Sequence, residues 1–121
     1  MLRRWIEKWK AAQALERERN ELAERLFAEA RDSKVQVQVL VFIETGDQFM
    51  VEKEIRGWAH RCGLGDEFVH ARKRAKEFFR DFAHHVSTRG YTTEEGGVLN
   101  QKVHYPPHMI TKVKLESVVD L

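Results

Sequence analysis

Val35, Val37, Val39, Val41 and Ile43 occupy alternate positions between Lys34 and Glu44, with Gln36, Gln38, Leu40 and Phe42 between them. Period 2 is the spacing at which side chains share one face of a strand. The segment therefore predicts a strand with one wholly apolar face and a second face that turns apolar halfway along. Such a strand is central toward its far end and needs a neighbour. Thr45-Gly46-Asp47-Gln48 reads as a turn, and Phe49 to Ile55 can return antiparallel. A three-residue loop would set Ile43 against Val51, Val39 against Ile55 and Gln38 against Arg56. The same stretch also carries helical spacing, since Val51, Ile55, Trp58, Ala59 and Cys62 recur every three or four residues until Gly63. Periodicity leaves both readings open, including a strand that becomes helix near Glu54.

Two other segments predict helices. Residues 1 to about 31 contain neither Gly nor Pro and are rich in Ala, Leu, Glu, Arg, Lys and Gln. Leu2, Trp5, Trp9 and Ala12 mark one apolar stripe, and Leu15, Leu22, Leu26 and Ala30 a rotated one with Phe27 beside it. A helix of about 30 residues spans roughly 45 Å, more than a domain of this size can cover, so part of it is expected to project. From Asp66 to about Thr88 a second helix follows, with Asp66 and Glu67 in its first turn and Arg89-Gly90 at its end. Its buried stripe reads Phe68, Val69, Arg72, Ala75, Phe79, Phe82, Ala83 and Val86, flanked by Phe78. Its other face carries His70, Lys73, Arg74, Glu77, Asp81 and His84. Beyond the TTEEGG turn, Val98 to Tyr105 and Met109 to Val119 read as strands separated by Pro106-Pro107.

These elements predict one α+β domain over residues 1–121: a long N-terminal helix, a mostly antiparallel sheet of three or four strands, and one basic amphipathic helix packed on that sheet. The order fits a winged-helix-like domain or an αββαββ arrangement. At 121 residues with 42% hydrophobic and 33% charged content, the chain belongs with ordinary folded proteins. No apolar run reaches the roughly 18 to 20 residues that span a bilayer. Charged Glu7, Lys8 and Lys10 interrupt the start, so a secretory signal is not expected and a cytoplasmic location is. The single cysteine, Cys62, excludes an internal disulfide and agrees with that compartment. A formal charge of +2 does not by itself imply a polyanion partner.

The stretch Glu54 to Arg74 resembles the helix-turn-helix superfamily. Ala59, Gly63 four residues later, Leu64, and Val69 six residues past the glycine follow the spacing of that motif, with Trp58 and Cys62 as apolar neighbours. The resemblance implies two packed helices and a nucleic-acid interface. Asp66 and Glu67 would repel phosphate at the end that enters the groove. The implied contacts are therefore His70, Lys73, Arg74 and Lys76 along the helix, with Thr92, Thr93 and Lys102 on a wing-like hairpin.

The N-terminal Trp5, Ile6 and Trp9, set among Arg3, Arg4, Lys8 and Lys10, suit either an interfacial membrane anchor or docking on protein. The short apolar face and Glu7 favour protein, including a homodimer through this helix. Catalytic and metal chemistry find little support. His104 and His108 are separated by a proline pair, His60 and Cys62 lack the partners a zinc site needs, and Cys62 falls on an apolar stripe as a small core residue would. Of the adjacent pair His84 and His85, one is expected to pack and the other to meet water. No Walker loop, GxSxG or HExxH occurs. The expectation is a small non-enzymatic protein with no cofactor, binding nucleic acid through the basic helix. The alternative is an adaptor or inhibitor that docks on a partner protein.

Overall fold

The structure, a computed structural model, describes residues 2–63, 65–93 and 102–121. Helix α1 (Leu2–Asp32) is followed by β1 (Lys34–Ile43), β2 (Gln48–Arg56), β3 (Trp58–Cys62), β4 (Gly65–Val69), α2 (Ala71–Arg89), β5 (Tyr91–Thr92), β6 (His104–Tyr105), a 3₁₀ turn (Pro107–Met109) and β7 (Ile110–Asp120). The architecture is α+β, as the pattern predicts.

Strand β1 lies in the middle of the main sheet, with β2 and β7 antiparallel on either side. Its alternation explains that position. Val35, Val37, Val39, Val41 and Ile43 are all buried, and α2 packs over them through Ala71, Ala75 and Val86. The two alanines let the helix approach the sheet closely, while half-buried Phe78, Phe79 and Phe82 fill the space around them. Burying a valine-sized side chain contributes about 1.5–3 kcal/mol, so this one face of β1 is the main apolar contribution to the fold. A smaller aromatic group closes the far end, with Phe49 at 5.7 Å and 5.4 Å from the rings of Tyr91 and Tyr105.

The hairpin forms in a register four residues from the expected one. Val39 faces Val51, Val35 faces Ile55 and Lys34 faces Arg56. Any even slip keeps the valines on the same face, so the apolar pattern cannot select among them. The turn does. Gly46 takes φ +94°, its N–H donates to Ile43 O at 2.9 Å, and Ile43 N–H donates to Asp47 O at 2.9 Å. The like charges that this register brings together, Lys34 and Arg56, are bridged by Glu54 at 3.2 Å from each.

Residues 58–69 do not form the first helix of a helix-turn-helix. They form an antiparallel hairpin that pairs Trp58 with Val69 and Cys62 with Gly65. Gly57, Gly63 and Gly65 each cost a helix interior about 1 kcal/mol, whereas a short glycine-bearing connection suits a hairpin. The hairpin also finds a docking surface on the last turns of α1. Arg61 lies over the Phe27 ring, 4.6 Å from its centroid, and pairs with Glu24.

Asp66 and Glu67 consequently belong to β4, and α2 begins five residues later than its expected start at Asp66. His70 caps it, its Nδ1 accepting from the Arg72 N–H at 3.1 Å. Ser33 fixes the same corner, because its hydroxyl donates to Ala30 O at 2.7 Å and accepts from the Ala71 N–H at 2.9 Å. Arg72 leaves the expected buried stripe, lies exposed and pairs with Asp120. Phe68 is exposed rather than buried, and His84 and His85 are both exposed. Half of the expected strand Val98 to Tyr105, residues 98–101, lies outside the described residues; of the other half, His104 and Tyr105 form β6, while Lys102 and Val103 are not strand.

Candidate functional site

Along α2 each residue advances about 100°, so Lys73, Lys76 and Arg80 fall on one line, three and four residues apart. Glu77 and Asp81 form the adjacent row, on the side away from Lys76. All five are exposed. Among the described residues no carboxylate lies within ion-pair distance of Lys73 or Lys76; Arg80 reaches Asp81 at 3.7 Å. The outer face of α2 is thus split lengthwise into a cationic row and an acidic one.

The other residues expected at a nucleic-acid interface are placed differently. Arg74 donates through Nη1 to the Arg56 carbonyl at 2.6 Å, which ties its guanidinium to the end of β2. His70 is engaged as the cap of α2. Lys102 is exposed, two residues before β6. Thr92 and Thr93 serve the fold: the Thr92 hydroxyl bonds His104 Nδ1 at 2.7 Å, and buried Thr93 accepts from the Val103 N–H at 2.9 Å. Lys73 and Lys76 are therefore brought together, and Arg80 joins them. The sequence signal for Arg80 was its place four residues after Lys76.

Helix α1 presents the second candidate surface. Every residue from Leu2 to Leu26 is exposed, and burial starts only at Phe27 and Ala30. Arg61 reaches back to Glu24, so the exposed length ahead of that pair, residues 2–23, is roughly 33 Å at 1.5 Å per residue. Trp5 is 68% exposed, Trp9 53% and Ile6 37%, with Leu2, Leu15 and Leu22 about half or more exposed as well. No helix among the described residues is long and apolar enough to cross a membrane.

An open cleft of about 280 Å³ between the ends of α1 and α2 is lined by Asp32, Lys34, His70, Arg72 and Asp120 among others. Two of its carboxylates are paired with arginines. The Arg72 guanidinium hydrogen-bonds Asp120 and holds that carboxyl below its usual range, and Arg31 does the same for Asp32. Cys62 sits exposed at the hairpin end instead of in the core, its thiol 2.8 Å from the Gly65 carbonyl. Among the described residues no three His, Cys, Asp or Glu side chains gather as a metal site. Comparisons with protein-family models, curated proteins and solved structures gave no match.

Proposed function

We propose that this chain is a non-enzymatic binding protein that docks on protein through its N-terminal helix, with the sheet and α2 as the rigid base. The observation that carries this reading is the exposed N-terminal length of α1, where Leu2, Trp5, Trp9 and Leu15 are each more than half exposed among the described residues. An isolated helix in water is marginal even when its residues favour helix, and an amphipathic one normally gains its stability from what its apolar face touches. Large contiguous apolar exposure marks interaction surfaces, and tryptophan is the residue type most enriched at their energetic centres. Hydrogen–deuterium exchange over residues 2–26 tests the reading. The arm exchanges rapidly in dilute buffer and becomes protected when a docking protein is present; Trp5→Ala/Trp9→Ala loses that protection. An arm whose exchange no protein alters, a second copy included, would remove the reading.

A second reading keeps one specific support, the row of Lys73, Lys76 and Arg80 on the outside of α2. Three cations in line suit the phosphates of a nucleic acid, with backbone contact and no base readout. Three phosphate contacts give a slope of about −3 in log affinity against log salt, or a ~40-fold loss between 50 and 200 mM. Gel-shift titration of the wild type and of Lys73→Glu/Lys76→Glu measures it. Absence of any shift at low salt ends this second reading and leaves the arm untouched.

A further inference from the structure

Much of the apolar content of the exposed length of α1 falls at seven-residue spacing. Counting from Leu2, the first position of each repeat holds Leu2, Trp9, Glu16 and Ala23, and the fourth holds Trp5, Ala12, Arg19 and Leu26. Leu15 and Leu22 stand immediately beside this seam. Continued by one more repeat, the first position reaches Ala30, which is buried against the globular part. The seam therefore runs out from the core along the arm, interrupted by Glu16 and Arg19.

We infer that the occupant of this seam is the same helix of a second copy, laid antiparallel so that residue n faces residue 28 − n of the other chain. This inference rests on the reading of α1 as a protein-docking arm. The register is the one that pairs the exposed stretch, Leu2 to Leu26, wholly with itself. It sets Leu2 against Leu26, Trp5 against Ala23, Trp9 against Arg19 and Ala12 against Glu16. A large indole meets a small alanine, and a guanidinium meets the face of Trp9, where cation–π attraction operates. Each contact joins a first position to a fourth, as antiparallel geometry requires.

Charge chooses the same orientation. Arg3, Arg4, Lys8 and Lys10 against Glu7 leave the first ten residues with a net +3, while Glu16, Glu18 and Glu21 against Arg17 and Arg19 leave residues 16–21 at −1, Glu24 being paired with Arg61. Antiparallel pairing brings these unlike ends together. Parallel pairing stacks Glu16 on Glu16, Arg19 on Arg19 and the two basic ends on one another, which is destabilising at each step.

The test uses the full chain. Sedimentation equilibrium is expected to give twice the 14.3 kDa monomer mass, with Trp5→Ala/Trp9→Ala weakening the dimer at least ~30-fold. Both tryptophans are exposed, so the folded base serves as an unchanged control by circular dichroism. In a Cys62→Ser background, Leu2→Cys and Leu26→Cys proteins are oxidised separately and after mixing. The antiparallel pair cross-links only in the mixture; efficient cross-linking of Leu2→Cys alone overturns it. A monomer at ~100 μM overturns self-pairing yet leaves docking on a different protein standing. A dimer indifferent to the tryptophan substitutions overturns self-pairing and the role of the arm together.

Discussion

Gly57→Val is expected to lower the melting temperature by about 10 °C or more, and Gly57→Ala to cost about 2–4 kcal/mol. Gly57 connects β2 to β3 at the corner where α1 ends and α2 begins. A Cβ there would lie 2.9 Å from the Val69 carbonyl oxygen and closer still to Ala30 O and Ser33 Oγ. Two of those three atoms are backbone, and the third is the hydroxyl that already bonds Ala30 O and the Ala71 N–H. None can rotate away without breaking a bond that holds the corner. The Gly57 N–H itself donates to Ser33 O at 3.0 Å, so a shift of the chain to relieve the overlap would lose that bond too. Gly63→Ala is the matched control, because a Cβ at that position meets nothing within 4 Å. Equilibrium denaturation separates the two; equal midpoints for Gly57→Ala and wild type would show that the corner is not closely packed.

That corner also marks where the sequence stops being legible. Strand β1 is readable because five alternating β-branched residues admit one interpretation, and α1 because a long uninterrupted run of helix formers admits another. Its projection follows from length alone. The register of β1 on β2 is not readable from apolar spacing, since a slip of four residues leaves every valine on the same face; Gly46 decides it through a backbone angle. Val51 to Cys62 carries a helical period that β2 and β3 do not follow; Gly57 and the docking of β3 and β4 on the Phe27 end of α1 go with the strand form.

The candidate site divides in the same way. That Lys73 and Lys76 face outward follows from the helical period of the phenylalanines on the opposite side. That Arg74 is tethered to the Arg56 carbonyl, and that Thr92 and Thr93 are spent on β6 and the segment before it, depends on contacts between residues far apart in the chain. The tryptophans of the arm are legible as apolar, but only the packing of the rest of the molecule shows that they stay largely exposed among the described residues.

Val39→Asp is expected to abolish cooperative thermal unfolding at neutral pH. Val39 is fully buried, opposite Val51 on one side and Leu115 on the other, beneath α2. A carboxylate there has no cation and no donor to replace water, and an unpaired buried charge costs several kcal/mol against a total stability of about 5–15 kcal/mol. Burial would raise the pKa of the new aspartate in the folded chain above its unfolded value of about 3.9. The folded state then binds more protons than the unfolded one, so the penalty grows as pH rises above about 4 and shrinks as pH falls toward it. Some structure should accordingly return in the variant at mildly acidic pH, the opposite of the wild type, whose paired Asp120 and Glu54 lose their contribution on acidification because their folded pKa values are lowered. Met50→Asp, on the other face of the same sheet at an exposed position, should cost only about 1 kcal/mol. Circular dichroism melts at neutral and acidic pH distinguish the pair. A Val39→Asp protein melting within a few degrees of wild type at pH 7 would mean that β1 is not the strand around which the fold is built.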